Sequence, residues 1–138
     1  MIIKDIKKHL ESSCPEFSSK KININCLGEK NGSLCLKTVP CEETIKEYAD
    51  GGSLKQYVFE ICLRTALDND VISNAQNAGF MENIQSWLCD SSEAEKMEFS
   101  KKGAFPIEYE VLSTHGVSHR DRSGVEHNIR ARLIYEEK

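Results

Sequence analysis

The sequence lacks any hydrophobic run that approaches the length needed to cross a membrane. Its first residues, MIIKDIKKHL, are too charged, and their apolar stretch too short, for a secretory signal. A basic excess is missing too, because 18 Lys and Arg residues face 22 Asp and Glu residues, for a net charge of −4. These absences predict a protein that neither enters a membrane nor grips nucleic acid with a broad basic face.

Paired cysteine motifs are also absent, although the chain has six cysteines. There is no C-x-x-C, and no short paired spacing indicates a disulfide framework. Cys62 in a predicted strand and Cys89 at the end of a predicted helix both occupy positions that suit a small buried apolar residue. We therefore expect reduced thiols and a cytosolic setting.

Signatures of catalysis and cofactor binding are missing as well. His115 and His119 have the spacing of a helical metal site, with His127 beyond them, but they fall at a strand end and in a glycine-bounded loop. The segment Asp50-Gly51-Gly52-Ser53 lacks the lysine of a phosphate loop and leads into a strand, which predicts a tight turn instead. A Cys/His nucleophile pair stays open, because such pairs meet in space rather than in sequence. We expect no catalytic residue, no cofactor and no metal.

What the chain does contain is the composition of a globular domain. Its 138 residues are 39% hydrophobic and 29% charged, which is enough for a core and unlike a disordered chain. Repeats and low-complexity tracts are absent from the sequence. A single domain over residues 1–138 is therefore expected.

The first half of the chain predicts a helix followed by strands. Apolar residues at helical spacing predict a helix over Ile2–Ser12. Two short strands, Ile22–Leu27 and Ser33–Val39, flank a segment rich in hairpin-loop residues. Cys41–Tyr48 has its carboxylates Glu42, Glu43 and Glu47 at helical spacing, which favours one or two helical turns with an exposed acidic face. Strict alternation then predicts a long strand over Lys55–Leu67.

The second half predicts one helix and two strands. An apolar stripe predicts a helix over about Val71–Cys89, and Ser91–Pro106 reads as a polar linker. Strands are expected at Ile107–Thr114 and Val125–Tyr135, joined by a loop over Gly116–Gly124. A symmetric loop would set Glu110 opposite Arg130 and Glu108 opposite Arg132. The fold class that follows is α+β, with a mainly antiparallel sheet of four or five strands and two helices packed on one face.

Four segments, in order along the chain, resemble a known family. They are VPCEETIKEYADGGSLKQYVFEI at Val39–Ile61, NAGFMENIQSWL at Asn77–Leu88, EVLSTHG at Glu110–Gly116 and IRARLIY at Ile129–Tyr135. Together they are similar to the small minor capsid proteins of prophages of Gram-positive bacteria, which in turn are similar to tail terminators of long-tailed phages. The resemblance covers about Ile2–Tyr135 and is densest from Val39 to Leu88.

The resemblance implies a structural virion protein and no enzyme. Such a protein forms a ring, commonly a hexamer, on the last layer of tail-tube protein, stops tube polymerisation and presents a surface to the head-completion protein. The partners implied are further copies of the chain, the tube protein and the head-completion protein, while DNA passes the lumen without specific binding. The location implied is the head-proximal end of the tail, after assembly in the bacterial cytoplasm.

Two turns are candidates for contact with partners, because loops carry binding residues away from the core. One is the turn formed by Asp50, Gly51, Gly52 and Ser53, and the other is the hairpin tip formed by His119, Arg120, Asp121 and Arg122. The alternatives that stay open are a head–tail connector or completion protein, a small cytosolic ligand-binding regulatory domain, and an enzyme that uses cysteine or a metal.

Overall fold

A sheet with two helices on one face forms the framework of the protein. The computed structural model describes residues 2–17, 22–25, 34–65, 71–90, 93–121 and 124–138, and among these it leaves out the side chains of residues 71–78, 114–115 and 117–121. The helices are α1 (Ile2–Ser13) and α2 (Val71–Leu88). The strands are β1 (Ile22–Ile24), β2 (Leu34–Thr38), β3 (Thr44–Glu47), β4 (Ser53–Thr65), β5 (Ala104–Asp121) and β6 (Gly124–Glu137). Short 3-10 helices occur at Pro15–Phe17 and Ala94–Lys96.

Within the described ranges the six strands form one sheet in the order β1-β2-β4-β6-β5. The short strand β3 lies beside the first residues of β4, on the same side as β2. Among the described strand pairs, β1–β2 is parallel and the others are antiparallel. The predicted α+β class with a mainly antiparallel sheet is therefore confirmed, and the described sheet has six strands rather than four or five.

The core lies between the helices and one face of the sheet. The helix α1 contributes Ile6 and Leu10, the helix α2 contributes Ile84 and Leu88, and β4 contributes Phe59 together with its alternate neighbours. Burial of each such side chain stabilises the fold by about 1.5–3 kcal/mol. Both helices thus pack on one face, as the alternation of β4 and the apolar stripe of α1 predict.

The opposite face of the sheet, called the open face below, carries polar side chains in cross-strand pairs. Arg130 on β6 contacts Glu60 on β4 at 2.6 Å, and Arg132 contacts Glu110 on β5 at the same distance. Such pairs each contribute about 0.2–1 kcal/mol and favour one register.

The prediction of a helical turn over Cys41–Tyr48 is wrong, because the segment contains β3. Thr44 pairs with Lys55, and Glu47 pairs with Ser53, so the backbone of β3 bonds to the long neighbouring strand. Thr44 and Ile45 are β-branched and suit a strand. Glu43 and Glu47 accordingly do not share a helical face, although the exposure expected for them is confirmed.

The predicted hairpin between the first two strands is also wrong. The strands β1 and β2 run parallel, with Ile22 beside Leu34. Asn25, whose φ is 57°, follows β1, and its side-chain oxygen accepts a hydrogen bond from the Thr38 backbone N–H at 2.9 Å. Parallel neighbours require a crossover rather than a tight turn; the predicted loop residues lie outside the described ranges.

The β5–β6 hairpin is longer than predicted and has a different register. Both strands continue through most of the expected loop, and Asp121 pairs with Gly124. Glu110 lies opposite Arg132, while Arg130 lies opposite Ser113 and binds Glu60 of β4 instead. The pairing of Asp121 with Gly124 means that the hairpin is not symmetric about Arg120, and bulges along β5 then change the register further.

Two smaller expectations also change. Cys62 is buried as predicted, whereas Cys89 is exposed. The predicted polar linker contains the 3-10 helix Ala94–Lys96 and the start of β5, and its Phe99 packs edge-on against Tyr135 at 5.4 Å. Among the described residues, no helix is both long and apolar enough to span a membrane.

Candidate functional site

The first predicted contact segment, Asp50–Ser53, forms the tight turn between β3 and β4. The Asp50 carboxylate accepts a hydrogen bond from the Gly52 backbone N–H at 3.0 Å, and the Gly51 N–H donates to the Tyr48 carbonyl at 3.1 Å. Gly51 has a φ of 93°, which L-residues with a side chain rarely adopt. The predicted tight turn is therefore confirmed, and its hydrogen bonds are made within the turn itself.

Charged side chains surround this turn. The carboxylate of Glu137, at the end of β6, forms ion pairs with the ammonium groups of Lys55 and Lys101, at N···O distances of 2.8 Å and 3.0 Å. These two ammonium groups lower the pKa of the Glu137 carboxyl. The chain end, the segment after residue 100 and the Asp50–Ser53 turn therefore meet at one end of the sheet, called the turn end below.

A polar groove of about 300 Å³ opens at the turn end. Its walls are Glu47, Tyr48 and Lys55, together with Thr44 and the turn residues Gly51, Gly52 and Ser53. The groove offers backbone and charged groups, which suits contact with a polar protein surface.

The described part of the second predicted segment, residues 119–121, lies at the end of β5, at the tip of the β5–β6 hairpin. The backbones of His119, Arg120 and Asp121 are in β5, where they pair with Glu126, Val125 and Gly124, respectively. The side chains of these three residues and the whole of Arg122 lie outside what the structure describes. The structure therefore gives the backbone position of residues 119–121 but not the contacts of their side chains.

The two segments are far apart rather than parts of one site. Ser53, at the turn end, pairs with Glu137, whereas Thr65 at the other end of β4 pairs with Val125 beside the hairpin tip. The strand β4 has 13 residues, and at about 3.3 Å per residue it spans about 40 Å. The segments therefore mark opposite ends of the sheet.

The histidines form no metal site that the structure describes. His127 on β6 shares a hydrogen bond of 3.1 Å with the Thr65 hydroxyl, while the side chains of His115 and His119 are outside the described set. Across the described residues, no group of three or more potential metal ligands comes together.

One buried polar cluster was missed by the sequence analysis. His9 on α1 shares a hydrogen bond of 2.8 Å with the hydroxyl of Tyr109 on β5, and its ring centroid is 5.0 Å from that of Trp87. Burial lowers the pKa of His9 and raises that of Tyr109. The signal in the sequence is that His9 follows Ile6 by three residues, on the apolar stripe of α1.

A cavity of about 350 Å³ adjoins this cluster. His9 reaches it from the core, and its other walls are charged or hydroxylated, including Asp5, Lys8 and Lys96. The Asp5 carboxylate accepts hydrogen bonds from both the backbone N–H and the hydroxyl of Ser100. These contacts tie α1 to the segment that precedes β5, which is a structural role for the cluster.

Comparisons with known proteins do not assign the chain to a family. The chain matches no family model, and no curated protein is significantly similar to it. The resemblance to minor capsid and tail-terminator proteins therefore stays a prediction carried by the four ordered segments of sequence.

Proposed function

We propose that this protein is a structural subunit of a phage tail. In this proposal, copies of the chain form a ring at the head-proximal end of the tail tube, where the ring stops tube polymerisation and provides the surface for head–tail joining. Its partners are other copies of itself, the tail-tube protein and the head-completion protein.

The observation that carries the proposal is the placement of the two contact segments. A terminator has to contact a tube layer on one side and a head-completion protein on the other. The Asp50–Ser53 turn and the hairpin tip lie at opposite ends of the same hydrogen-bonded strands, β4, β6 and β5. A subunit standing upright in a ring would thus present one segment to each partner, about 40 Å apart.

The charge balance is compatible with a channel for DNA. The chain carries a net charge of −4, and phosphate binding depends on Lys and Arg residues that neutralise the backbone. DNA that slides through a ring should meet few such contacts. This supports passage without specific binding.

Disruption of the gene in the parent phage tests the proposal directly. Tail length in the lysate is measured by negative-stain electron microscopy, with the wild-type gene supplied in trans as the control. We expect overlong tails without heads, beside full heads, because tube growth has lost its stop.

The other outcomes discriminate the alternatives. Tails of normal length that fail to join heads would make the protein a head–tail connector. Intact infectious particles would refute a structural role and favour a small ligand-binding domain.

A charge reversal tests the hairpin tip in the same assay. Complementation with Arg120→Glu and Arg122→Glu together should restore fewer joined particles than the wild-type gene. Glu82→Lys, an exposed residue on α2, is the matched control and should complement fully. Full complementation by the arginine variant would remove the hairpin tip from the interface.

A further inference from the structure

Two edges of the described sheet, those of β3 and β5, lie on opposite sides of it; β1 is a third edge strand, on the same side as β3. Among the described strands, β5 ends the order on one side, and β3 lies on the other side of β4. An edge strand has backbone N–H and C=O groups directed away from the sheet, which another strand can pair with.

Exposed apolar side chains are concentrated on these two strands. Where side chains are described, the large hydrophobic residues that are exposed number three: Ile45 (42% exposed) on β3, and Phe105 (53%) and Leu112 (45%) on β5. Natural edge strands are usually protected by charge or cover. A strand from another chain that paired with either edge would cover these apolar residues.

A recess beside β3 offers a place for such a side chain. A cavity of about 340 Å³ lies beside the segment that connects β2 to β3. We call it the notch; its walls include Ile2, Ile3, Val39, Pro40, Tyr57 and Val58. The notch lies on the edge opposite β5, so no residue of β5 in the same copy is positioned to fill it.

Bulges divide β5 into short regular stretches, of which the longest is Glu108–Val111. Between the register shifts at Pro106/Glu108 and Val111/Ser113, the residues Glu108–Val111 pair without interruption. This stretch has the same number of residues as β3, Thr44–Glu47. The two edges thus match in length.

We propose that the stretch Glu108–Val111 of one copy pairs antiparallel with β3 of the next copy, and that Leu112 enters the notch there. The proposal rests on the proposed ring and names the interface that would build it. Because the two edges are different surfaces, the contact is heterologous, and repetition by rotation closes a ring.

Charge selects the register of this pairing. Lys46 lies opposite Leu54, and Glu108 lies opposite Ile134, so both side chains are on the open face. Setting Lys46 opposite Glu108 pairs opposite charges, while the register shift between Thr44 and Lys46 makes the pairing irregular beyond Lys46. Leu112, four residues after Glu108, then falls beside the segment that precedes β3, of which Val39, Pro40, Cys41 and Glu43 line the notch.

The same register includes a stagger, which closure of a sheet requires. Within one copy, Lys46 is level with Leu54 and Glu108 is level with Gln56. Pairing Lys46 with Glu108 thus displaces neighbouring copies by two residues, about 7 Å along the strands. Strands that close into a barrel-like ring are tilted and staggered in this way.

Cysteine cross-linking of the full chain tests the interface. Lys46→Cys and Glu108→Cys are introduced together, in a background where the exposed Cys41 and Cys89 are replaced by Ser. Directly opposed residues of antiparallel strands have Cα atoms about 4.5–5.5 Å apart, within the range of a disulfide. Mild oxidation should produce a ladder of covalent dimers, trimers and larger species, with the 46–108 link found by peptide mapping.

Three control chains define the background of this experiment. Each cysteine alone should give dimers at most, because a heterologous ladder needs both edges. The pair Lys46→Cys and Glu82→Cys, with the second residue exposed on α2, should give no ladder.

Charge reversal supplies an independent readout. Lys46→Glu and Glu108→Lys should each weaken self-association by about tenfold or more, and the two reversals combined should restore it. Sedimentation measures the association, with Glu82→Lys as the matched control. If the double reversal weakened self-association as much as each single reversal does, Lys46 and Glu108 would not contact each other.

Failure of this interface is distinguishable from failure of the proposed function. Oligomers without the 46–108 link, or a chain that stays monomeric up to millimolar concentration, would overturn the edge pairing. Overlong tails on gene disruption would still support a terminator in that case. Conversely, a linked ring from a gene whose loss leaves tails normal would retain the interface and refute the terminator role.

Discussion

The strand β3 is held to the sheet partly by one hydrogen bond, and its removal is the perturbation we develop furthest. The hydroxyl of Tyr135, a fully buried residue on β6, donates to the Glu43 carboxylate at 2.7 Å, just before β3 begins. Burial and the adjacent Glu43 carboxylate raise the pKa of Tyr135, so the hydroxyl remains a donor at neutral pH. Tyr135→Phe deletes the donor and leaves the ring packed against Phe99.

The expected cost follows from the surroundings of the two groups. A hydrogen bond to a charged group contributes about 1.5–3 kcal/mol to stability. The Glu43 side chain is 55% exposed, so water can replace the lost hydroxyl at the carboxylate. We therefore expect the free energy of unfolding to fall by about 1–2 kcal/mol.

Urea unfolding followed by the fluorescence of Trp87, the sole tryptophan of the chain, measures this loss. Hydrogen exchange should also accelerate at the β3 backbone more than elsewhere, because the bond anchors that strand. Tyr48→Phe is the matched control: its hydroxyl is 3.4 Å from the Glu136 carboxylate, too long for a strong bond, so the cost should stay below about 0.5 kcal/mol.

Equal effects of the two Tyr→Phe substitutions would refute this reasoning. So would a loss of stability in Tyr135→Phe with unchanged exchange at β3. Because β3 is half of the proposed ring interface, the variant should also associate more weakly than Tyr48→Phe.

Three further predictions concern the core and the thiols. Burial lowers the pKa of His9; Lys96 lowers it further, whereas Glu93 opposes the shift. As the pH falls below about 6.5, His9 therefore binds a proton in the unfolded chain and not in the folded protein. Stability should therefore fall by up to about 1.4 kcal/mol per pH unit until the folded-state pKa is reached, and urea unfolding of His9→Gln should lack that part of the slope. Ile61→Ala should reduce the free energy of unfolding by about 2–5 kcal/mol, because Ile61 is 1% exposed in the core; a calorimetric loss below about 1 kcal/mol would contradict this packing. Mass-spectrometric thiol labelling should modify the exposed Cys89 rapidly, whereas Cys62, whose pKa burial raises to about 12, should react only on unfolding.

Local pattern was sufficient for the elements whose environment is uniform along their length. In β4, alternate residues around Phe59 and Ile61 face the helices, and the alternation in the sequence predicts this because side chains in a strand alternate between faces. In α1, the spacing of Ile3, Ile6 and Leu10 predicts the buried stripe for the corresponding reason. Fold class follows from these two patterns.

Local pattern failed where a neighbouring strand decided the conformation. The segment that contains β3 has helical spacing of its carboxylates, yet its backbone groups find partners on β4. In the β5–β6 hairpin, the position of the turn and the bulges along β5 together set Ser113, rather than the predicted Glu110, opposite Arg130, which binds Glu60 on β4. A bulge has no reliable signature in one sequence, because it depends on how two strands fit together.

For the two candidate contact segments, too, some properties follow from the local sequence and others from the tertiary structure. The sequence alone determined that Asp50–Ser53 is a tight turn, because glycine permits the positive φ that Gly51 adopts. Only the tertiary structure decided that this turn and the β5–β6 hairpin tip lie at opposite ends of one sheet, and that Ile45 and Leu112 are exposed on its two edges. The physical reason is that turns are specified by the backbone freedom of a few adjacent residues, whereas edges and ends exist only once distant strands have paired.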